Sequence, residues 1–195
     1  MKRVEKICGP CQACCVAPKI DTPEFKKPSG VPCVHLVEKG CGIYQTRPPV
    51  CRDFLCGWRL LPELDISWRP DLSGVMLICV NQDDVPEAYR PAGHGWVFVI
   101  LDDKKALTLT LARHVADLAR RKVAVYLSAV TPRTQLNEQL DVPLKAGDMV
   151  GVLAVLEQVH KRLLPARRAR GWRLVLALYL AQVDRMRAIM EAKRR

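Results

Sequence analysis

The sequence has no long apolar run. Its longest, Leu174 to Ala181, is eight residues, far short of the roughly 20 that a membrane-spanning helix needs. No apolar stretch precedes the first cysteine, so no secretory leader is expected, and the expected compartment is the cytoplasm. Aromatic residues are scarce, at 6% of 195, so large rings are too few to build every part of a core. The familiar catalytic motifs are missing as well. There is no phosphate-binding glycine loop, no G-x-G-x-x-G after a strand, no H-E-x-x-H and no G-x-S-x-G. Cys11-x-x-x-Cys15 is not followed by a cysteine after a two-residue gap, so the radical-AdoMet triplet is absent. No catalytic constellation can be assembled, and catalytic and cofactor-binding residues stay unassigned.

Hydrophobic residues make up 49% of the chain. That is enough for one globular domain with a buried core, with room for an appended piece. It excludes a disordered tail, a collagen-like repeat and a tiny disulfide scaffold. The formal charge of +11 is unevenly placed: residues 1–60 carry +5, residues 61–160 carry −3 and residues 161–195 carry +9. The basic end is suited to an acidic partner, either a protein or a nucleic acid. A solvated helix face is the plainer expectation, because no nucleic-acid motif accompanies it.

Cysteine is the residue in excess. Eight of the nine lie between Cys8 and Cys56, and Cys79 stands alone in an apolar run. In a reducing compartment disulfides are disfavoured, and dense cysteines point to metal or redox chemistry. The same stretch is broken by Pro18, Pro23, Pro28, Pro32, Pro48 and Pro49 and by several glycines, so residues 1–60 are expected to be loop-rich. Such a segment builds little core of its own, and bound metal would supply the missing order.

Residues 61–70 form a connector with Trp68 as a packing anchor. Beyond it the pattern changes. Val75 to Val80, Gly95 to Leu101 and Val123 to Val130 are short apolar runs, rich in β-branched or aromatic residues, and are expected as buried strands. Leu111, Val115 and Leu118 at helical spacing place a helix within Ala106 to Lys122. Its start is ambiguous, since residues 107–111 also alternate like a strand. Helices are expected from Gly147 to Leu164 and, amphipathic and basic, from Trp172 to Ala192. The fold class is therefore α+β: a cysteine module at 1–60, a small α/β region at 61–150 and a basic helical segment at 151–195.

The strongest chemical feature is CGPCQACC at residues 8–15. Two-residue gaps let neighbouring sulfurs turn toward one ion, as in zinc and iron–sulfur sites. Cys8, Cys11, Cys14, Cys15, Cys33, Cys41, Cys51 and Cys56 are the candidate ligands, for zinc or for iron with an iron–sulfur cluster included. A tetrahedral zinc or a cubane cluster takes about four thiolates. Eight thiols thus allow two mononuclear sites, one polynuclear centre, or one cluster with spare cysteines. Adjacent side chains tend to diverge, so Cys14 and Cys15 favour two ions or a shared centre over a single finger. Lys2, Arg3, Lys6, Arg47 and Arg52 are placed to offset thiolate charge.

Other candidates carry less. Cys79, alone in an apolar strand, is expected in the core. His35, two residues after Cys33, is a spare ligand. His94 falls in a loop, where it is either an ordinary exposed histidine or part of the lining of a site between the cysteines and the sheet, His114 is expected to pack beside its helix's apolar face, and His160 has no evident role.

CGPCQACC, then PC at 32–33, GCGIY at 40–44, RPPVC at 47–51 and CRDFLC at 51–56 resemble the YkgJ-type cysteine-cluster, or CxxCxxCC, proteins, which include longer bacterial members. All eight cysteines, with Tyr44, Arg47, Pro48, Arg52 and Phe54, match that pattern in order. The resemblance covers about the first 60 residues. It implies a zinc- or iron-chelating domain with the eight cysteines as ligands and no settled activity. A flagellin lysine methylase carries a related cluster, taken as iron–sulfur, so the resemblance also admits an enzyme or redox protein acting in protein modification. In that frame Ile43, Tyr44 and Phe54 would pack beneath the loops, while Arg47 and Arg52 would donate to sulfur or carbonyls.

Overall fold

The structure, a computed structural model, describes residues 6–38, 40–129 and 133–164. The expected helix from Trp172 to Ala192, and most of the basic segment, lie outside the described residues.

The cysteine-rich part consists of short elements joined by turns, as its prolines and glycines require. Helix α1 (Ala13–Val16) is followed by a two-residue hairpin, β1 (Ile20–Asp21) with β2 (Lys26–Lys27). A second hairpin pairs β3 (Leu36–Val37) with β4 (Gly40–Cys41). Single-turn helices α2 (Pro49–Arg52) and α3 (Gly57–Leu60) follow, α2 opened by a proline whose fixed φ suits a first helical turn. None of these helices contributes more than four residues, so tertiary contacts rather than propensity must hold them.

Two lysines provide such contacts. The Lys6 ammonium donates to the carbonyls of Trp58, Leu61 and Leu64, and the Lys27 ammonium to those of Val16, Pro28 and Val31. Each therefore spends its three hydrogens on three backbone carbonyls and ties together the turns that carry them.

The connector forms a short 3-10 turn at Ile66–Trp68 and helix α4 (Pro70–Ser73), and Trp68 packs its ring 4.8 Å from that of His114. Then comes the sheet. Strands β5 (Val75–Asn81) and β6 (His94–Ile100) are antiparallel. The chain crosses over through α5 (Asp103–Ala106) and α6 (Leu109–Arg120) to β7 (Ala124–Ser128), which runs parallel to β6. Strand β8 (Arg133–Gln135) closes the sheet antiparallel to β7, and the order is β5-β6-β7-β8. Helices α7 (Asn137–Lys145) and α8 (149–164) complete the described fold. This is α+β, with the three expected strands in place.

Register sorts the side chains. Leu77, Phe98 and Leu127 lie opposite one another across β5, β6 and β7, and each is at most 1% exposed. Helix α6 covers this face, with His114 at 6.0 Å from the Phe98 ring. Each such burial contributes roughly 1.5–3 kcal/mol. Ile78 and Val97 form one pair on the opposite face, and Val99, Ser128 and Arg133 form a row beside it. That second face is the one turned to the cysteines.

Local chemistry settles what periodicity left open. The Thr108 hydroxyl accepts from the Leu111 N–H at 3.4 Å, so the helix begins at Leu109 and the strand-like alternation of 107–111 is overridden by a cap. Strand β8 and helix α7 were not expected. They are joined through Asn137, 5% exposed, whose side chain accepts from Val125 N–H and donates to the Val123 carbonyl. Cys79 is exposed, contrary to the core position expected, because β5 is a sheet edge. His94 is not in a loop. It opens β6 and lies edge-on to Trp96 at 5.7 Å. His160 is buried at 2% exposure, 4.0 Å from the Asp103 carboxylate.

Candidate metal centre

All eight cysteines of residues 8–56 are free thiols, and the fold brings them together around two adjoining voids. The larger is a cleft of about 580 Å3, lined by Cys8, Cys11, Cys14, Cys15, Cys33, Cys41 and Cys51. The smaller, about 30 Å3, is lined by Cys8, Cys11, Cys14 and Cys56 with Phe54, Trp58 and Met76. It has room for about one water-sized body. A still larger groove, about 1030 Å3, runs past Lys19, Asp21, Asp71, Asp102 and Lys105, and no cysteine lines it.

Backbone geometry explains the convergence. The Cys11 N–H bonds to the Cys8 carbonyl at 3.1 Å and the Cys15 N–H to the Gln12 carbonyl at 2.9 Å, so residues 8–15 turn tightly and carry their sulfurs inward. The Cys33 N–H bonds to the Cys15 carbonyl at 2.9 Å, tying the second half to the first. The His35 N–H points at the Cys33 sulfur at 3.4 Å, the kind of donor a thiolate needs. Cys56 is delivered by α3. A β-carbon on Gly57 would sit 2.5 Å from the Leu77 β-carbon and 2.8 Å from the Trp96 ring, so glycine alone lets α3 settle on β5.

Electrostatics divides the thiols further. Hydrogen bonding between Cys14 and Cys15 pushes the Cys14 thiol well above its ordinary range and, with Lys27 and Arg47 nearby, brings Cys15 down to about 6. Burial pushes Cys11 up to about 11 and also raises Cys51 and Cys56. Cys51 feels the charges of Cys33, Cys15 and Cys41, whereas Cys11 feels Cys56 and Cys56 feels Cys8. Burial lowers both Lys6 and Lys27, opposed by Glu63, then Cys56 and Asp65, in the first case and by Cys33, Cys15, Cys14 and Cys51 in the second.

The cationic residues expected to offset this charge divide in the same way. Lys6 serves the Cys56 side, and Arg47 serves Cys15 and Cys51. Lys2 and Arg3 lie outside the described residues. Arg52 does not reach a sulfur: it is exposed and pairs with Asp53 at 3.3 Å, since α2 turns it outward. Three contributors were missed in the sequence. Lys27 is one. The others are Arg69 and Asp71, an ion pair with contacts of 2.7 and 2.9 Å, whose Asp71 carboxylate is held below its ordinary range first by Arg69 and in smaller part by the Cys11 thiol. No spacing signal marks them, because they come from outside the cysteine motif or from a hairpin strand.

Phe54 packs against the core and lines both voids, as expected of it. Tyr44 instead stays half exposed, with the Arg47 guanidinium 3.7 Å above its ring. His35 lines the cleft, and His94 does not.

Among the described residues, no three His, Cys, Asp or Glu side chains as they stand form a group that could hold a metal ion. The thiols surround the voids rather than meet at one point. Their chemistry fits a soft metal nonetheless: the sulfurs are free, gathered, backed by N–H donors and flanked by buried cations.

One curated relative is similar to this chain. A UPF0153 protein of Pseudomonas aeruginosa is 42% identical over 59 residues, which take in 24% of this chain and 70% of the relative. No protein-family model matches the chain, and no solved structure matches it. Among the described residues no helix is long and apolar enough to cross a membrane.

Proposed function

Because this chain belongs to the UPF0153 family, the YkgJ-type cysteine-cluster proteins, we propose that it is a metal-binding protein that holds zinc or iron through its eight clustered cysteines. One observation carries the proposal: all eight thiols line two voids that meet at Cys8, Cys11 and Cys14. The division they favour is two groups of four. Cys8, Cys11, Cys14 and Cys56 surround the small void, which leaves Cys15, Cys33, Cys41 and Cys51 for the second group on the wall of the cleft. Four thiolates complete a tetrahedral zinc shell, or the ligand set of a cluster. The metal would supply the cross-links that the short elements of residues 8–56 lack, so its role is structural or metal handling.

Chelation tests this directly. Removing the metal should abolish amide protection across residues 8–56 while β6 and β7 stay protected. A metal-free chain with unchanged protection would contradict the proposal.

A second reading is favoured by the open cleft between thiols and sheet. There, an iron–sulfur centre would act on a substrate, as in an enzyme or redox protein of protein modification. It requires a brown, oxygen-sensitive protein with a broad absorption near roughly 400 nm. A colourless protein with zinc alone would remove it.

A further inference from the structure

The cleft is larger than its thiols require. A metal bound by four sulfurs occupies a small fraction of about 580 Å3, a volume in the range of small-molecule sites, roughly 300–1,000 Å3. Its two walls differ. One wall carries the thiols with Phe25, Ile43, Tyr44 and Phe54. The other is the sheet face, where register places Ile78 opposite Val97, and Val99, Ser128 and Arg133 in one row. The floor is thus apolar and ends in a guanidinium.

The charges of the lining are divided between its walls. The thiol wall carries the sulfurs, with Lys19, Lys27 and Arg47 beside them, the sheet face carries Arg133, and among the described residues that line the cleft none is Asp or Glu. Three of the four cations are already engaged. Lys27 is committed to three carbonyls and the adjacent thiols, Lys19 pairs with Asp21 at 2.6 Å, and Arg47 lies over Tyr44 beside Cys15 and Cys51. Arg133 differs. It comes from the sheet side, stacks 4.8 Å from the Tyr126 ring and, among the described residues, makes only a long 3.4 Å contact to the Asp84 carbonyl. A guanidinium fixed on an aromatic face with N–H groups to spare is suited to a carboxylate or a similar oxyanion.

We propose that this cleft binds a small organic anion, its apolar body on Ile78, Val97 and Val99, its charged end on Arg133, and its far end against the thiol wall. The site goes beyond metal binding and does not depend on which metal the thiols take.

The test uses full-length protein as purified, with its metal content recorded in the same sample. A naphthalene carboxylate and the matching carboxamide serve as probes in titration calorimetry. The carboxylate should bind one per chain and about tenfold more tightly than the amide, the difference being one charge-assisted hydrogen-bonded contact. Arg133→Gln should erase that preference and leave melting temperature and metal content unchanged, because Arg133 is exposed. Ile78→Trp, which fills the floor from an edge strand, should weaken both probes. Equal affinity for the two probes in the native protein, no binding of either, or a preference that survives Arg133→Gln would each overturn the proposal. Metal content reports separately on the eight-cysteine assignment, so failure of one is not mistaken for failure of the other.

Discussion

Cys14 and its chain neighbour Cys15 are driven apart in acidity by their mutual interaction, the thiol of Cys14 raised and that of Cys15 lowered. Cys14 keeps its proton, whereas Cys15 becomes a thiolate near neutral pH. Cys14 lines both voids and Cys15 only the cleft. The adjacent pair is therefore the point at which the two groups of thiols part.

A reactivity order follows for the chain just stripped of metal, before residues 8–56 lose their fold. Cys15, lowered from 9.0 to about 6, should be alkylated first by iodoacetamide at neutral pH, and Cys14 last of the pair. The rate at Cys15 should fall as pH drops through about 6. The linkage has the same sign. A depressed thiol value contributes stability that is full above the unfolded value and is lost as pH falls through about 6. Mass-spectrometric mapping of alkylated peptides across about pH 5 to 8 checks this, and a flat profile at Cys15 would contradict it. Metal loading should protect both residues.

Gly57→Ala should couple a packing fault to metal loss. Its β-carbon would meet the Leu77 β-carbon at 2.5 Å, and overpacking of that kind costs about 1–3 kcal/mol. Lifting α3 also withdraws Cys56 from the small void. Denaturant unfolding and metal analysis should therefore both change, and the metal lost should be the one held with Cys8, Cys11 and Cys14.

Lys27→Met should act on the other group. Lys27 is 4% exposed, and its loss would remove an ammonium donor from the carbonyls of Val16, Pro28 and Val31, of which Val16 and Pro28 keep a backbone N–H. A cost of about 1–3 kcal/mol is expected, with weaker metal retention at Cys15, Cys33, Cys41 and Cys51. Lys26→Met, on the same strand but 75% exposed in its side chain, should leave both quantities unchanged. Competition with a chromogenic chelator measures the difference.

The sheet was legible because its strands are continuous apolar runs, and α6 because Leu111, Val115 and Leu118 recur at helical spacing. The gathering of the cysteines was legible as composition, since thiols so dense have few other uses. What escaped was set by tertiary contact. Asn137 docks a helix by pairing with strand backbone, which no periodicity announces. Lys27 looks in sequence like an ordinary surface charge in a lysine pair, and only the turn of the β1–β2 hairpin buries it. His94 was misplaced because the Gly93 and Gly95 around it suggest a loop. Gly95 is in fact required inside β6, where a β-carbon would sit 2.9 Å from the Ala124 carbonyl. Cys79 was misplaced because an apolar strand does not disclose that it is an edge.

The most direct measurement is the metal-to-protein ratio of the full chain by native mass spectrometry, for the native protein and for Cys56→Ser and Cys41→Ser. Two groups of four thiols predict two metal sites filled in the native protein, and one filled in each variant, with different thiols left open to alkylation. A single shared centre that both substitutions abolish, or a native chain that retains no metal under anaerobic purification, would contradict the account.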